Sequence, residues 1–241
     1  MKIFKHISSH PRGKVTSSKK KAIIIGSTGA TGKKLLSKLL GSDNWDRVTS
    51  ITRKRIFNNN EHQKLTEIII DSFDDLESTS NHWKGHDVFF NCIGTTRKIA
   101  GGAKGFIDVE YGISLKSAEL AFSAGILQAS LISASGANPN AWAPKWIHPL
   151  LYTKIIGMKE QTITKHFQFK GSSIFRPGML IRNYNKNSFL HRFCDANNLG
   201  LRVDLLASAM LRDAEGFNCD QENSVPFVYL GNNCIKSSIS K

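Results

Sequence analysis

Short apolar runs alternate along the chain with longer segments whose apolar residues recur every three or four positions. The runs predict β-strands at Ala22–Ile25, Val48–Thr52, Glu67–Ile70, Val88–Asn91, Ala129–Ile132, Ser172–Phe175 and Pro226–Leu230. The helical period predicts helices over Lys33–Leu40, Ile107–Ala124, Tyr152–His166 and Val203–Arg212. Strands that alternate with amphipathic helices indicate βαβ units. The expected fold class is therefore α/β, with a doubly wound parallel sheet.

A glycine-rich segment joins the first predicted strand to the first predicted helix. Gly26 permits a tight turn, Gly29 lets the backbone approach a pyrophosphate, and Gly32 lets the helix pack close to the strand. The helix N-terminus offers free N–H groups to an anion. The spacing GxxGxxG differs from the GxGxxG fingerprint, and a purely structural turn is the alternative. We expect a dinucleotide-binding loop formed by Gly26, Ser27, Thr28, Gly29, Ala30, Thr31 and Gly32.

The residues after the second predicted strand indicate which nucleotide is bound. Ligands of open α/β sheets lie outside the carboxyl ends of the strands. Arg53 and Lys54 stand where an NAD-preferring site usually has an acidic residue, and arginine suits a 2′-phosphate. We therefore expect NADPH as the cofactor. The alternative is a solvated basic turn.

The ends of the later strands supply further candidate cofactor contacts. Asp71 follows the third strand and either accepts from an adenine amino group or caps the helix that starts near Asp74. The small residues after the fourth strand would let the cofactor pass close to the backbone. A turn fixed by proline and opened by glycine follows the sixth strand and would border the nicotinamide. These last two sets are Ile93, Gly94, Thr95 and Thr96, and Pro177 and Gly178.

Five segments, in this order, resemble the Tat-interacting protein (CC3) family of atypical short-chain dehydrogenases, which has a related fungal mitochondrial branch. They are GSTGATG, NCIGTTRKIAGGAKGF, LKSAELA, ISASGAN and FRPGML, and the resemblance covers roughly residues 21–235. It implies a Rossmann fold that binds NADPH and an oxidoreductase activity. Some members of the family are also described as regulators of transcription, nuclear import or apoptosis, which implies protein partners.

The family pattern implies a catalytic serine, a tyrosine, and a lysine four residues after the tyrosine. Ser133 and Tyr152 match the first two positions, where the hydroxyls would polarise a carbonyl oxygen and donate a proton to it. Ile156 stands where the lysine is expected, and an isoleucine there would raise the pKa of the tyrosine. The other lysines on this helix face away or lie two turns on. A lysine from another segment, Lys98 or Lys145, is the remaining source of a positive charge.

The segment 136–149 carries two tryptophans, His148 and three prolines between the serine and the tyrosine. One interpretation is an aromatic lid over an apolar substrate, with His148 as an alternative proton donor. The other interpretation is a packed surface loop with an ordinary histidine.

The net charge of +14 is unevenly distributed, since the first 42 residues hold ten lysines and arginines and no carboxylate. We expect residues 1–20 to form a disordered basic tail and residues 21–241 to form one nucleotide-binding domain, with a substrate-side region near 179–222. The tail is either a mitochondrial presequence or a solvated tail without an address, and its single arginine favours the second. We therefore expect a cytoplasmic protein, with mitochondria as the alternative.

Composition narrows the remaining classes of function. No apolar stretch is long enough to span a bilayer, and the four cysteines lack a CxxC spacing, so we expect neither a transmembrane segment nor a metal site. The basic tail lacks interleaved aromatic residues, so we expect no specific nucleic-acid binding. Two functions remain: a reductase of an unidentified small carbonyl compound, or a catalytically weak NADP-binding regulatory protein. A homodimer through the long helices stays open.

Overall fold

The computed structural model describes residues 19–56, 62–182, 193, 199–218 and 225–240. The predicted tail lies outside the described residues except at its end, where the first strand begins at Lys20 rather than Ala22. The ammonium group of Lys20 donates to the carbonyl oxygens of Ala214 (2.6 Å) and Phe217 (2.9 Å). Lys20 therefore belongs to the folded domain. The region predicted near 179–222 is described only in part.

A seven-stranded parallel sheet forms the centre of the described structure, in the order β3-β2-β1-β4-β5-β6-β9. This confirms the doubly wound α/β fold, and each predicted strand lies within three residues of an observed one. The strands are β1 (Lys20–Ile25), β2 (Trp45–Thr52), β3 (Leu65–Ile69), β4 (Val88–Asn91), β5 (Gln128–Ile132), β6 (Gly171–Arg176) and β9 (Phe227–Leu230). Two short strands, β7 (Met179–Ile181) and β8 (Gly200–Arg202), pair in a separate ribbon.

The helices cover both faces of the sheet. They are α1 (Ala30–Gly41), α2 (Ala103–Ile107), α3 (Ile113–Ser123), α4 (His148–Gln161), α5 (Val203–Gly216) and α6 (Gly231–Ser240). A π-helical turn, Asp108–Gly112, joins α2 to α3, and another, Thr162–His166, continues α4. Helix α4 begins before its predicted start because Pro149 occupies its first turn, where its missing N–H costs nothing. A 3₁₀ helix at Phe73–His82 was not predicted from the periodicity.

Strand β1 shows why the apolar runs lack polar alternation. Ala22 and Ile24 belong to the core on one face of the sheet, together with Leu35 of α1. Ile23 and Ile25 belong to the core on the other face. Because helices cover both faces, residues of either parity are fully buried.

The described residues contain no candidate membrane span and no candidate metal site. None of the helices in the described ranges is both long and apolar enough to cross a bilayer. No group of histidine, cysteine and carboxylate side chains within those ranges could hold a metal ion. Cys92 and Cys234 are free thiols.

Candidate active site

The sheet order reverses between β1 and β4, so the crevice at their carboxyl ends lies at the topological switch point. Gly26 ends β1 in the left-handed region with φ +77°, and a Cβ there would lie 2.5 Å from the Cys92 carbonyl carbon. A Cβ on Gly32 would overlap the carbonyl oxygen of Gly26. Glycine is therefore required at both positions, the first by conformation and the second by close packing.

Only part of the glycine-rich loop faces outward. Thr28, Gly29 and Ala30 are exposed at the N-terminus of α1, whose first turn carries no carboxylate. Ser27 is fully buried, and its hydroxyl lies 2.6 Å from that of Ser50. Thr31 is also buried. The loop would therefore contact a pyrophosphate through its backbone N–H groups and Thr28, while the Ser27 and Thr31 side chains serve the fold.

The basic pair after β2 lies at the same edge of the sheet. Arg53 and Lys54 are exposed, and the guanidinium of Arg53 lies 5.5 Å from the ring centroid of Phe73. None of the four ion pairs found among the described residues includes either cation. Sequence reasoning missed Phe73, although its position just after the third strand was a usable signal. A cation stacked on an aromatic ring keeps its N–H edge available for an anion.

Asp71 does not cap the following helix, so that alternative was wrong. Ser72 is the N-cap, and its hydroxyl oxygen accepts from the Asp74 N–H at 3.1 Å. Serine is as good an N-cap as aspartate, and it stands directly before the first helical residue. Asp71 is exposed at the sheet edge, where its carboxylate stays a candidate acceptor for an adenine amino group.

A buried ion pair holds the loop after β4. Glu110 accepts from the Thr95 N–H (2.7 Å) through one oxygen and pairs with the Lys159 ammonium (3.0 Å) through the other. Lys159 also donates to the carbonyl oxygen of Ile93. The two charged side chains are 3% and 1% exposed. The loop that would border the cofactor is thus fixed by charges from the π-helical turn and from α4.

Sequence reasoning did not find this pair. Glu110 and Lys159 lie 49 residues apart, and each stands in a segment that predicts an amphipathic helix with a solvated polar face. The chain offered no local signal that both side chains point inward. Gly94 and Thr96, two further candidates in this loop, are exposed.

Ser133 is buried at the end of β5 and is already hydrogen-bonded. Its hydroxyl donates to a carboxylate oxygen of Glu160, and Arg176 holds both oxygens of the same carboxylate. The hydrogen bond that Arg176 donates to Glu160 is the main reason that the pKa of Arg176 is raised. Since its proton is directed at Glu160, Ser133 must turn before it can donate to a substrate oxygen.

Tyr152 lies in the first half of α4 with its ring against Phe106 (5.9 Å between centroids) and His148 (6.2 Å). Its hydroxyl makes no hydrogen bond within the described part of the chain. Burial raises the pKa of Tyr152, and the Glu110 carboxylate raises it further, whereas Arg182 opposes both. The phenol is therefore protonated, but it is a weaker acid than a free tyrosine, so its proton is harder to donate.

Among the described residues, no lysine takes the place next to Tyr152 that the family pattern predicts. Ile156 is 3% exposed, and the candidate lysines Lys98 and Lys145 are exposed with no bond to Tyr152. The cation that acts on the phenol is Arg182, which follows β7. Sequence reasoning considered only lysines and overlooked it. Arg182 lies in a segment whose sequence predicts no clear element.

The turn after β6 lies beside the same crevice. Pro177 is buried, and its carbonyl oxygen accepts from the Ser135 N–H at 2.9 Å. Gly178 is exposed, and its N–H donates to the Asn232 side chain at 2.9 Å. We expected Gly178 to open this turn through its conformational freedom. Its φ is not positive, so the turn does not depend on that freedom.

The segment 136–149 is a loop up to Ile147. The side chains of Trp142 and Trp146 are 74% and 75% exposed, so the interpretation of a packed surface loop was wrong for these residues. His148 opens α4 and lines a cavity of about 560 Å³ with Thr96, Arg97, Lys98, Gly101 and Gly102. Tyr152 stands one helical turn after His148.

Two sequence relatives are similar to this chain over about two thirds of its length. Protein HTATIP2 of Rattus norvegicus is 36% identical over 163 residues, which cover 67% of this chain and 63% of that protein. The mitochondrial protein FMP52 of Debaryomyces hansenii is 33% identical over 166 residues, which cover 69% of each. The chain thus spans a little under two thirds of the rat protein's length. No family model matches the chain.

Solved structures share the fold at low identity. The oxidoreductase ylbE of Lactococcus lactis has a TM-score of 0.65 at 19% identity and covers 91% of this chain and 95% of its own. The Bordetella bronchiseptica enzyme WbmH, solved in complex with NAD⁺, has a TM-score of 0.61 at 15% identity, covering 88% and 76%.

The family follows from these sequence relatives, which are 36% and 33% identical to this chain. Together these findings show that the chain belongs to the Tat-interacting protein family of atypical short-chain dehydrogenases, the family of HTATIP2 and the fungal FMP52 proteins.

Proposed function

We propose that this protein is an NADPH-dependent reductase of a small carbonyl compound. The observation that carries the proposal is the crevice at the switch point. There a loop that requires glycine at two positions exposes Thr28 and Ala30 at the N-terminus of α1, at the same edge of the sheet as Arg53 and Lys54. Two exposed cations and no carboxylate in the turn suit a 2′-phosphate better than free ribose hydroxyls. WbmH shares this fold and was solved with NAD⁺, which supports a nucleotide in the crevice.

NADPH, when bound, would supply the hydride to the carbonyl carbon. Tyr152 then has the role of donating a proton to the carbonyl oxygen, because it is 36% exposed and its hydroxyl has no internal partner among the described residues, although its raised pKa makes it a weaker acid. Arg182 would stabilise the phenolate that remains. Ser133 takes part only after its hydroxyl leaves Glu160.

A second candidate function is an NADP-binding protein with little or no turnover that acts through partners. Ile156 favours it, since an isoleucine provides no positive charge next to the phenol of Tyr152. The Ser133–Glu160 bond favours it too, since the serine hydroxyl is already engaged. Loss of one such catalytic contribution lowers a rate by on the order of 10²–10⁴. Protein partners and a mitochondrial location stay predictions, although the fungal relative is named mitochondrial.

A fluorescence titration with NADPH and, separately, NADH tests the cofactor. We expect tighter binding of NADPH, and we expect Arg53→Ala to remove most of that preference because the 2′-phosphate loses its guanidinium. Arg47→Ala is the matched control, since Arg47 is exposed near the opposite end of the same strand. Equal binding of both nucleotides, or an equal effect of the two substitutions, would contradict the NADPH assignment.

Turnover separates the two candidate functions. With a panel of small aldehydes, ketones and keto acids, consumption of NADPH is followed at 340 nm for the wild type and Tyr152→Phe. A reductase should lose on the order of 10²-fold or more in rate without its proton donor. A rate that is unchanged in Tyr152→Phe would exclude this tyrosine, and binding of NADPH without turnover on any compound would favour the regulatory protein.

A further inference from the structure

The cavity beside Tyr152 is lined by positive charge. It lies between the loop after β4 and the start of α4, has a volume of about 560 Å³, and includes the side chains of Arg97, Lys98 and His148. A volume of this size suits a small molecule. Thr96, Gly101 and Gly102 complete the lining.

The surrounding sequence is free of compensating negative charge. No carboxylate occurs between Asp87 and Asp108, or between Glu119 and Glu160, and these two stretches supply the whole lining. The ion pairs found among the described residues include neither Arg97 nor Lys98. Arg97 makes one long bond, from its guanidinium to the carbonyl oxygen of Trp146 at 3.5 Å. Most of its fork of N–H donors is therefore free to bind a ligand.

His148 adds a second polar group to this cavity. Its Nδ1 atom is buried and has no hydrogen-bond partner within the described part of the chain. The ring is held edge-on against Phe106, with centroids 5.5 Å apart and planes at 85°. Because Nδ1 exposes almost no surface, a ligand in the cavity would reach the ring through Nε2, which makes no hydrogen bond within the described part of the chain.

The cavity and the candidate proton donor are adjacent. His148 and Tyr152 are four residues apart on α4, so they share a face of the helix, and their ring centroids are 6.2 Å apart. A group bound by Arg97 and His148 therefore lies within a small molecule's length of the Tyr152 phenol.

We infer that this cavity binds the anionic group, a carboxylate or a phosphate, of a small substrate whose carbonyl is reduced at Tyr152. The inference rests on the proposed function, because it names the substrate class of the same site. Arg97 is the main ligand, since its planar fork matches the paired oxygens of either anion. Lys98 adds charge at the mouth, and His148 fixes the orientation.

Calorimetric titration of the protein saturated with NADP⁺ tests the inference, because the nucleotide fills the other anion site. The probes are inorganic phosphate and pyruvate. We expect at least one to bind, and Arg97→Ala to weaken that binding about tenfold or more, the usual cost of losing a charge-assisted bidentate contact. Arg97→Lys should keep part of the affinity, and His148→Gln should weaken binding less than Arg97→Ala.

Lys104→Ala is the matched control, since Lys104 is an exposed cation two residues beyond the lining and is paired with Asp108. Phosphate binding alone indicates a phosphorylated substrate, and pyruvate binding alone indicates a carboxylate. Binding of neither probe, or equal effects of Arg97→Ala and Lys104→Ala, would overturn the inference.

Failure of the inference can be distinguished from failure of the proposed function. If NADPH binds but Arg97→Ala changes the binding of neither anion, only the substrate class is wrong. If NADPH does not bind, the same titration is run on Arg53→Ala without nucleotide. Anion binding that still depends on Arg97 would then uphold the cavity as an anion site and leave the reductase assignment rejected.

Discussion

At the edge of the sheet, the proposed nucleotide side and the proposed catalytic side differ in how many of their polar groups are already hydrogen-bonded within the protein. On the nucleotide side, Thr28, Arg53 and Lys54 are exposed, and Arg53 has an aromatic ring beneath it. On the catalytic side, Ser133 is bonded to Glu160, which also holds Arg176. Free donors are ready to bind an anion, whereas donors paired within the protein must first give up a bond.

The same contrast separates a buried ion pair from the proposed substrate cavity. Glu110 and Lys159 neutralise each other below the loop after β4. Arg97 and Lys98, a few residues further on, have no carboxylate partner among the described residues. Charge that is paired inside the protein holds a loop in place, and unpaired charge at a cavity is available for a ligand.

The largest effect is expected at Gly26. Gly26→Ala adds a Cβ in a left-handed conformation and against the Cys92 carbonyl, so we expect a loss of about 4–6 kcal/mol in the free energy of unfolding and no nucleotide binding. Gly85→Ala is the matched control, because Gly85 has φ +75° but open space around its Cβ position. It should cost only about 1 kcal/mol of strain. Urea denaturation of both variants measures the difference, and equal losses would show that crowding is unimportant.

The next largest effect is expected when the buried Glu110–Lys159 pair is broken. Lys159→Met leaves the Glu110 carboxylate buried without its cation, which costs about 3–5 kcal/mol. The double variant Glu110→Leu with Lys159→Met removes both charges and should recover much of that loss. Thr95 then loses its acceptor, so nucleotide affinity should stay reduced even where stability returns. If the double variant is no more stable than Lys159→Met, the pair does not act as a unit.

Restoring the family's lysine tests whether the catalytic side lacks only one charge. Ile156→Lys places an amine at a position that is 3% exposed, so we expect a loss of about 2–3 kcal/mol in stability. If the amine reaches the phenol, the pKa of Tyr152 falls and reductase turnover rises. Ile156→Met controls for packing and should do neither. The phenolate absorbance at 295 nm during a pH titration follows the tyrosine, and an unchanged pKa in the lysine variant would show that the amine does not reach it.

The smallest effect concerns His86, far from both sides of the crevice. Its ring nitrogens lie 2.9 Å from the Thr49 hydroxyl and 3.0 Å from the Trp83 carbonyl oxygen, and burial is the main reason that its pKa is lowered. The unfolded chain therefore binds this proton more readily than the folded one. Stability from His86 is complete above its unfolded pKa and is lost as the pH falls through its lower folded pKa. Thermal unfolding of wild type and His86→Gln between pH 7 and pH 5 should show a smaller pH dependence in the variant, and identical dependences would exclude the histidine.

The strands of the sheet and the glycine-rich loop, in which two positions require glycine, could be predicted from the sequence. All of these follow from local rules. Runs of apolar residues predict buried strands, and a glycine at a strand end predicts a conformation that other residues avoid. Strand β4 was predicted to the residue because its four side chains are buried on both faces. The resemblance to the Tat-interacting protein family added Ser133 and Tyr152.

Which charged side chains pair with each other depends on the tertiary structure. The hydrophobic period assigns a residue to a face of a helix, but it does not say which residue lies opposite. Glu110 meets Lys159 across 49 residues of chain, and Ser133 meets Glu160 across 27. The same charged residue types form buried pairs on α4 and stay unpaired around the cavity. Their environment differs because burial makes an unpaired charge costly, whereas the open cavity keeps it in contact with water.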